Sequence, residues 1–401
     1  MRIWMATVGE PLPIDEGPTR LLRTAQFAQW AADRGHDVVF FTNTMDHYKR
    51  KLRANATTVY EISENYKIIA LEGRHYKGSM TMARLMSHMD VAASFRAISS
   101  DLTPPDVVLS SYPIEELSRA LLDYCEPRGI PVVLDTRDFW PDIFPELLPR
   151  ALRWAGRLVF FPFEYRARQT FRRATAVSGI TRSAMEWGQK MAGRAPRETD
   201  FWFPFSYVRL EQRPPIAREG LRLCFLGTLT PRNGLEVVID AMRILQKSGL
   251  NYQLDICGTG EAEGLLRTRA EGLENVRFRG WLNATQLLAV LAESDFGVLP
   301  YNRPDFFKVV PNKFAEYLAA GVPVFSCTDG EVRSLIVENE CGIWAEPDAA
   351  KMADALARTS SASLAILRGK ARQTFDNIFE QDRVFADALA HLKQVASNLR
   401  R

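Results

Sequence analysis

Histidine, cysteine and long apolar runs are all scarce in this sequence. Its five histidines and five cysteines lack the paired spacing of a metal site or a disulfide framework. No apolar run approaches the roughly twenty residues that a membrane-spanning helix needs. The opening stretch, Met1–Gly9, is too short and too quickly polar for a signal peptide. We therefore expect a cytoplasmic protein with reduced cysteines, no metal and no cofactor.

Net charge is equally slight, at +3 over 401 residues. That value is too small to indicate nucleic-acid binding, so we expect no nucleic-acid partner. With 46% hydrophobic and 25% charged residues, the composition is typical of a folded globular protein. The length exceeds what one hydrophobic core usually organises, and this favours two domains.

Short β-branched runs alternate with amphipathic helical runs, which is typical of parallel sheets built from βαβ units. Two series of strands are predicted: 2–8, 37–42, 66–71, 107–110, 132–135 and 176–178, then 221–226, 252–257, 276–279, 296–299, 322–326 and 342–344. We predict two doubly wound Rossmann-like domains, over 1–200 and 219–382, joined by a proline-containing linker over 201–218. A helix over about 383–401 is expected to pack back on the first domain. Ligands should bind where the carboxyl ends of the two sheets face each other across a central cleft.

The segment from Val309 to Val324 is the most informative part of the chain. Pro311 suits the first position of a helix, and Gly321 suits its exit. Lys313 and Glu316 stand three residues apart and so project to one side. Backbone N–H groups at the helix start, together with Lys313, would hold a diphosphate, and Glu316 could accept hydrogen bonds from a ribose diol. An amphipathic helix with a solvated lysine and glutamate would give the same spacing.

Glycine-rich turns follow three other strands of the second series. They are Gly227–Gly234, which contains Arg232, then Gly258–Glu261, and Gly280–Trp281. Glycine lets a flat ring or a phosphate approach the backbone closely. Each turn alone is a common connection between secondary-structure elements. Together with the start of the helix at Pro311, however, they make four loops in register, which favours a nucleotide site.

These residues resemble the retaining glycosyltransferases of family four, and within them the bacterial enzymes that assemble O-antigen, capsule or exopolysaccharide on a lipid carrier. The resemblance spans nearly the whole chain. The matching segments of the second half are 225–228, 233–236, 256–261, 276–281, 292–300 and 311–323, and those of the first half are Gly17, 34–38, 42–49 and 135–142. Family membership would imply the GT-B fold, in which two Rossmann-like domains face a central cleft.

The resemblance also implies roles for particular residues. Lys313 and Arg232 would grip the diphosphate of a nucleotide-sugar donor, and Glu316 would bind its ribose. The remaining donor-binding positions are Gly227, Thr228, Gly258, Trp281 and Asn312. The acceptor-binding positions are Gly17, Arg20, Asp46 and His47.

Several positions depart from the family pattern. The glutamate that often contacts the transferred sugar, eight positions before Glu316, is here Lys308. Thr228 and Asn233 stand where the family often has arginine and lysine, which leaves Arg232 as the replacement cation. A histidine common after the fourth strand of the first domain is missing from Leu109–Tyr112. The loop around the transferred sugar is therefore expected to differ in this chain from that of the family.

Asp138 follows a strand of the first domain and could orient or deprotonate an acceptor hydroxyl, as could Asp46 and His47. Asp138 could equally be a helix N-cap before Trp140-Pro141, and His47 could be a solvated loop histidine. Together with Lys313 and Arg232, Asp138 completes the predicted catalytic set.

Residues 147–173 carry seven arginines and one glutamate among many apolar side chains. Such a basic amphipathic segment suits an anionic membrane surface. A pair of ordinary domain helices with an arginine-rich wet face would give the same pattern.

These features predict a glycosyltransferase, peripheral on the inner face of the cytoplasmic membrane. Its partners would be a nucleotide-diphosphate sugar and a lipid-diphosphate-linked saccharide. Two alternatives stay open: a nucleotide-sugar 2-epimerase of the same fold, which the few histidines disfavour, and a non-catalytic scaffold subunit, which Lys308 and Thr228 permit.

Overall fold

The computed structural model describes residues 1–17, 20–76, 78, 81–211 and 219–398. The chain forms two compact units. The first comprises Met1–Pro204 with Phe385–Arg401, and the second comprises Phe205–Val384.

The first unit is built on one large sheet with helices alongside. Its strands are β1 Arg2–Ala6, β2 Asp37–Asn43, β5 Thr58–Ser63, β6 Tyr66–Leu71, β7 Val107–Tyr112, β8 Val132–Thr136, β9 Ala176–Gly179 and β10 Phe201–Trp202, and β3 Met45–Asp46 pairs separately with β4 Lys51–Leu52. The sheet order is β10-β9-β8-β7-β1-β2-β6-β5, parallel except where β5 meets β6. Its helices are α1 Arg23–Asp33, α2 Met82–Ile98, α3 Glu115–Cys125, α4 Ile143–Leu147, α5 Arg153–Arg173 and α6 Arg182–Ala192.

The central strands are buried on both faces, which is why they read as nearly continuous apolar runs. All of β7 and β8 is buried. On one side Trp4 packs edge-on against Phe41 and Phe95, with ring centroids 5.1 and 6.0 Å apart. Aromatic packing of this kind joins β1, β2 and α2 into one core.

A buried ion pair ties distant parts of the first unit together. Arg23, the first residue of α1, pairs with Asp135 of β8 and also donates to the carbonyl of Phe203. Asp135 accepts a second hydrogen bond, of 2.9 Å, from Ser178. Because a buried charge is costly unless it is paired and hydrogen-bonded, these contacts fix α1 against β8, β9 and the chain after β10.

The second unit has a six-stranded sheet. Its strands are β11 Arg222–Leu226, β12 Gln253–Cys257, β13 Val276–Gly280, β14 Phe296–Leu299, β15 Val324–Ser326 and β16 Gly342–Trp344, and its helices are α7 Leu235–Lys247, α8 Glu263–Arg269, α9 Ala284–Glu293, α10 Asn312–Ala319, α11 Glu331–Asn339, α12 Ala349–Ala357 and α13 Ser361–Thr374. The order β13-β12-β11-β14-β15-β16 is the doubly wound order of a Rossmann fold, with its switch point between β11 and β14. A π-helical turn, Phe375–Phe379, leads to α14, Gln381–Asn398.

The fold class predicted from the sequence is confirmed, and every predicted strand is present. The strand predicted from Val322 begins at Val324, because Pro323 has no N–H to give to a sheet. Within the segment predicted as a linker, Phe201–Trp202 forms β10, and residues 212–218 lie outside the described residues.

The predicted C-terminal helix begins at Gln381, and its last residues, 399–401, are outside the described range. From Phe385 onward this helix belongs to the first unit. There Phe385 packs against Phe27 with ring centroids 5.4 Å apart, and His391 stacks on Phe201 at 4.7 Å.

Candidate functional site

The start of α10 presents a lysine and a glutamate one turn apart. The helix begins at Asn312, with Pro311 as the N-cap residue at φ −64° and ψ 145°, so the prediction of Pro311 as the first helical residue was wrong by one position. Its ψ is extended, which a first helical residue cannot have. Among the described residues no side chain caps this helix start, which leaves its positive end open to an anion. Gly321, at φ 70°, ends the helix as predicted.

Lys313 lies over the first glycine of the turn after β11. Its ammonium donates to the hydroxyl of Tyr301 over 3.1 Å, and a Cβ added to Gly227 would stand 2.5 Å from Nζ. Only glycine at 227, at φ 124°, leaves room for the lysine. The structure therefore brings together Lys313 and Gly227, which the sequence separates by more than eighty residues.

Arg232 is connected to this point through two stacked rings. Its guanidinium lies 5.3 Å from the ring centroid of Phe306, and Phe306 stacks on Tyr301 at 4.6 Å. Two cations thus flank one aromatic pair, with a helix N-terminus beside them. This arrangement favours a ligand with several negative charges, such as a diphosphate.

The glycine turns after β11, β12 and β13 contact one another through their backbones. A Cβ at Gly258 would lie 1.9 Å from the carbonyl oxygen of Gly227, and one at Gly260 would lie 2.2 Å from that of Leu229. The Gly258 N–H donates to the carbonyl of Gly280 over 2.7 Å. Trp281, which follows, is 73% exposed. The predicted donor-binding positions in these turns form one continuous backbone surface.

Glu316 and Asn312 occupy the more enclosed part of the helix start. Glu316 is 4% exposed, and its carboxylate accepts a hydrogen bond from Tyr207 over 3.1 Å. The side-chain oxygen of Asn312 is buried and has no hydrogen-bond partner within the described residues. A buried acceptor without a donor is costly unless a ligand or water satisfies it.

Three aromatic residues at the site were not predicted from the sequence: Tyr207, Tyr301 and Phe306. All three lie outside the motifs, on segments that reach the site only through folding. The spacing of Tyr301 and Phe306 after a buried strand was the available signal for two of them. Nothing in the sequence near Tyr207 points to Glu316.

The predicted acceptor residues lie in the first unit, on two loops that touch. The Oδ1 atom of Asp46 accepts hydrogen bonds from the N–H groups of Tyr48 and Lys49, both of 2.9 Å, so this carboxylate fixes its own turn. Lys49 in turn bonds the carbonyl of Glu16, beside Gly17. The loops that carry Gly17 and Asp46 therefore lie together, and Arg20 follows as an exposed residue before α1.

His47 is half-buried in the same turn. Its Nδ1 lies 3.3 Å from the hydroxyl of Tyr76. Burial, reinforced by Arg84 and Arg50, lowers the pKa of His47 below its usual value. The ring is therefore neutral at pH 7 and is packed against Tyr76, so it is not the solvated loop histidine of the alternative interpretation.

Asp138 lies in the turn after β8. Its carboxylate accepts a hydrogen bond from the N–H of Phe139 over 2.9 Å. The next helix, α4, has Asp142 as its N-cap residue, so the alternative interpretation of Asp138 as a helix cap was wrong. Burial raises the pKa of Asp138 above its usual value, which makes it a better proton acceptor than an exposed aspartate.

The arginine-rich segment is mostly one long helix, α5, and its arginines fall into two groups. Arg166 lies 3.3 Å from Glu115, Arg168 2.7 Å from Glu164, and Arg173 2.8 Å from Glu126. At the other end, Arg150, Arg153 and Arg157 are exposed and show no acidic partner among the described residues. Arg172, near the end of α5, is exposed as well, so these four arginines are the ones most available to an anionic surface.

Apolar side chains accompany those three arginines. Trp154, Leu158, Phe161 and Tyr165 are 55–68% exposed, and their spacing of four, three and four residues places them on one helix face. Such a stripe on a single helix is unusual for a surface in water. No helix in the described part of the chain is both long and apolar enough to cross a membrane.

Comparison with known proteins agrees with this geometry. A family model described as "Glycosyl transferases group 1" matches residues 220–361. A second model, "Glycosyl transferase 4-like domain", matches residues 22–199. Between them the two models match most of the chain. The chain therefore belongs to the glycosyltransferases that these two models describe.

Two curated relatives illustrate the range of the match. The amylovoran biosynthesis glycosyltransferase AmsK of Erwinia amylovora is 33% identical over 147 residues, which are 35% of this chain and 36% of AmsK. The phosphatidyl-myo-inositol mannosyltransferase of Mycobacterium leprae is 32% identical over 153 residues, 37% of this chain and 40% of that protein. The matched segments thus span well under half the length of these relatives.

Solved structures show the fold over the whole length. The sucrose-phosphate synthase of Thermosynechococcus elongatus superposes with a TM-score of 0.72 at 17% identity and covers 99% of both chains. WaaG, a glycosyltransferase involved in lipopolysaccharide biosynthesis, gives a TM-score of 0.62 at 17% identity and covers 98% of this chain and 99% of its own. The architecture is that of the GT-B glycosyltransferases.

Proposed function

We propose that this protein transfers a sugar from a nucleotide-diphosphate sugar to a lipid-diphosphate-linked saccharide during bacterial surface-polysaccharide synthesis. The observation that carries the proposal is the meeting of Lys313, Gly227 and the open start of α10, with Arg232 close by, in a chain that belongs to a glycosyltransferase family. AmsK and WaaG are named for amylovoran and lipopolysaccharide biosynthesis, which supports the polysaccharide pathway.

The donor would bind to the second unit. Its diphosphate would face Lys313, Arg232 and the helix N-terminus, and its ribose diol would face Glu316. The base would lie against the glycine backbone near Gly258 and Trp281. A solved structural relative, HepE from Anabaena, is described as a complex with UDP and glucose, and this supports a nucleotide-sugar donor.

Bond cleavage between the sugar and the phosphate leaves negative charge on the diphosphate. Fixed cations and oriented N–H groups at that oxygen stabilise the transition state without having to reorganise. Lys313 is held in place by Tyr301, so its charge is preorganised. We propose that this fixed charge removes the need for a divalent cation, and that turnover therefore survives a chelator. Activity lost on chelation and restored by magnesium or manganese would refute that part of the proposal.

We propose that the transfer retains the configuration at the anomeric carbon of the sugar. The acceptor hydroxyl then approaches the face from which the diphosphate leaves, and a phosphate oxygen can take its proton. No dedicated carboxylate base is obligatory on this route. Asp138, whose pKa is raised by burial, would serve to orient the acceptor or to share its proton.

The acceptor would reach the first unit from a membrane. The exposed arginines and apolar stripe of α5 support binding to the anionic inner face of the cytoplasmic membrane. The mycobacterial relative is a phosphatidyl-myo-inositol mannosyltransferase, which supports a lipid acceptor.

Two measurements test the function. A thermal-shift screen with nucleoside diphosphates and their sugars identifies the donor, because a ligand that binds only the folded state raises Tm. The purified protein is then incubated with that donor and a bacterial membrane extract that contains lipid-linked saccharides. Transfer of labelled sugar to lipid supports the proposal. Formation of an epimer without acceptor would favour the 2-epimerase, and binding without either product would favour a scaffold.

A further inference from the structure

The first unit contains an apolar cavity that the proposed donor and acceptor residues do not use. Its volume is about 320 Å³, within the range of sites for small ligands. Its walls come from the starts of α2 and α3, the end of β7, the turn after β8, and helices α4 and α5. Because β7 and β8 end here, the cavity opens at the carboxyl edge of the sheet, where open α/β folds bind their ligands.

The walls of this cavity are mainly aromatic and aliphatic. Phe144 and Phe160 stack with ring centroids 4.9 Å apart, Trp140 meets Phe144 edge-on at 4.8 Å, and Leu85 closes another side. A sugar needs several hydrogen-bonding side chains around it, whereas a surface of this kind suits hydrocarbon.

The ionisable groups in the wall are neutralised by their surroundings. Glu115 and Glu116 lie 3.3 and 3.6 Å from Arg166, and Glu115 also lies 3.8 Å from Arg119, so two cations face the two carboxylates. The 3.9 Å between His88 and Glu116 is too long for a hydrogen bond. It is not an ion pair at pH 7 either, because burial lowers the pKa of His88 to about 4. An uncharged guest therefore meets no unbalanced charge from these groups.

The cavity reaches the protein surface beside α5, on the side of the helix away from the apolar stripe. Phe160 and Phe163 line the cavity, and Phe163 is also 42% exposed, one turn from the exposed Leu158 and Val159. The same helix begins with the exposed Arg153 and Arg157, which have no acidic partner in the described part of the chain. Hydrocarbon that leaves an anionic membrane beside Val159 and Phe163 would thus enter the cavity, and Arg84 in its wall would meet a phosphate at the head of the chain.

We propose that this cavity binds the part of the hydrocarbon chain next to the diphosphate of a lipid-linked acceptor. The assignment rests on the proposed function for the identity of the lipid, but chain binding is measured without sugar transfer. It implies that acceptors are selected by their lipid as well as by their saccharide.

The test uses farnesyl diphosphate and dimethylallyl diphosphate as probes. They carry the same head group and differ in chain length. Affinities for the full-length protein are measured by calorimetry in the absence of membranes and detergent. We expect wild type to bind the longer chain at least about tenfold more tightly, because more apolar surface is buried. Equal affinity for the two probes would overturn the proposal.

Two matched pairs of variants locate the binding. Leu85→Trp fills the cavity, and Met89→Trp makes the same kind of addition on an exposed part of α2. Phe163→Asp places a charge in the cavity wall, and Phe161→Asp does so on the neighbouring exposed position. Leu85→Trp and Phe163→Asp should abolish the preference for the longer chain, and their two controls should retain it. If all four variants keep the preference, or all four lose it, the chain binds elsewhere and the assignment fails.

The outcome is separable from that of the proposed function. Each variant is also tested for donor-nucleotide binding, which should be unchanged because the donor residues are in the other unit. Chain binding without sugar transfer to any acceptor would count against the proposed function alone. Sugar transfer by a protein that does not discriminate chain length would count against the cavity alone.

Discussion

The phenol of Tyr207 donates a hydrogen bond to the carboxylate of Glu316 across 3.1 Å. Tyr207 is itself held by its backbone, which donates to Phe379 over 3.0 Å and accepts from Gln381 over 3.1 Å. Because the backbone of Tyr207 is fixed, its hydroxyl holds the nearly buried carboxylate of Glu316 in one orientation. If Glu316 binds the ribose of a donor, Tyr207 is a positioning residue for nucleotide recognition.

Tyr207→Phe should therefore reduce the preference for a ribonucleotide. A hydrogen bond to a charged group contributes about 1.5–3 kcal/mol, and part of that should appear as weaker discrimination between a nucleoside diphosphate and its 2′,3′-dideoxy analogue. The measurement is calorimetric titration with both ligands. Tyr252→Phe is the control, because it removes a comparable bond, of 3.3 Å to Leu356, in the same unit. An unchanged preference in Tyr207→Phe would show that the contact serves only the fold.

Lys313→Ala and Glu316→Ala should each weaken binding of the donor nucleotide by about 1.5–3 kcal/mol, the range for charge-assisted hydrogen bonds. We expect the loss at Lys313 to fall on the diphosphate, so that a nucleoside without phosphate binds both wild type and Lys313→Ala equally. Lys370→Ala, which removes an exposed lysine paired with Glu340, should bind donor normally. Variants that unfold, or that bind donor as wild type does, would contradict the assigned roles.

Changing Arg150, Arg153 and Arg157 together to Ser should release the protein from anionic vesicles. Each arginine near such a surface contributes about 1 kcal/mol, and the attraction fades within about a Debye length, so wild-type binding should also weaken with salt. A control with Arg267, Arg277 and Arg358 changed to Ser has the same net charge but alters exposed positions of the second unit. The measurement is co-sedimentation with anionic vesicles at low and high salt. Equal binding by the two triple variants would show that α5 is an ordinary solvent-exposed helix.

Acid stability should depend on His88. Burial lowers its pKa from 6.5 to about 4, so the unfolded chain binds a proton at this position in a pH range where the folded chain does not. Stability is therefore complete above pH 6.5 and falls as pH decreases toward 4, by up to about 3 kcal/mol from this group. His88→Gln should flatten the dependence of Tm on pH across that window, whereas His75→Gln, at an exposed position, should not. Parallel curves for wild type and His88→Gln would show that folding does not lower the pKa of the imidazole.

The fold was predictable because its strands are short, apolar and separated by helices. Val132–Thr136 and Phe296–Leu299 are fully buried strands. In a βαβ pattern, short apolar runs of this kind predict central strands of a parallel sheet. Thr58–Ser63 was missed, although its alternating exposure is typical of an edge strand with one wet face. Phe201–Trp202 was missed because two residues give no period to recognise.

The candidate site was predictable where it depends on local geometry. Lys313 and Glu316 share a helix side whatever the rest of the chain does, and Gly227, Gly258 and Gly260 adopt backbone conformations with φ between 124° and 159° that disfavour other residues. Contacts across long stretches were not predictable. Tyr207 meets Glu316 over 109 residues, and the apolar cavity takes its walls from six separate segments of the chain.

The backbone contacts among the glycine turns also bear on redesign of this protein. Because Gly258 and Gly260 each lie against a carbonyl oxygen of the turn after β11, no side chain can be introduced at either without moving both loops. Thr228, Thr259 and Glu261 are exposed positions of the same turns, where a new side chain need not displace the backbone. A library aimed at a new donor base or sugar should therefore vary those three residues and keep the glycines fixed.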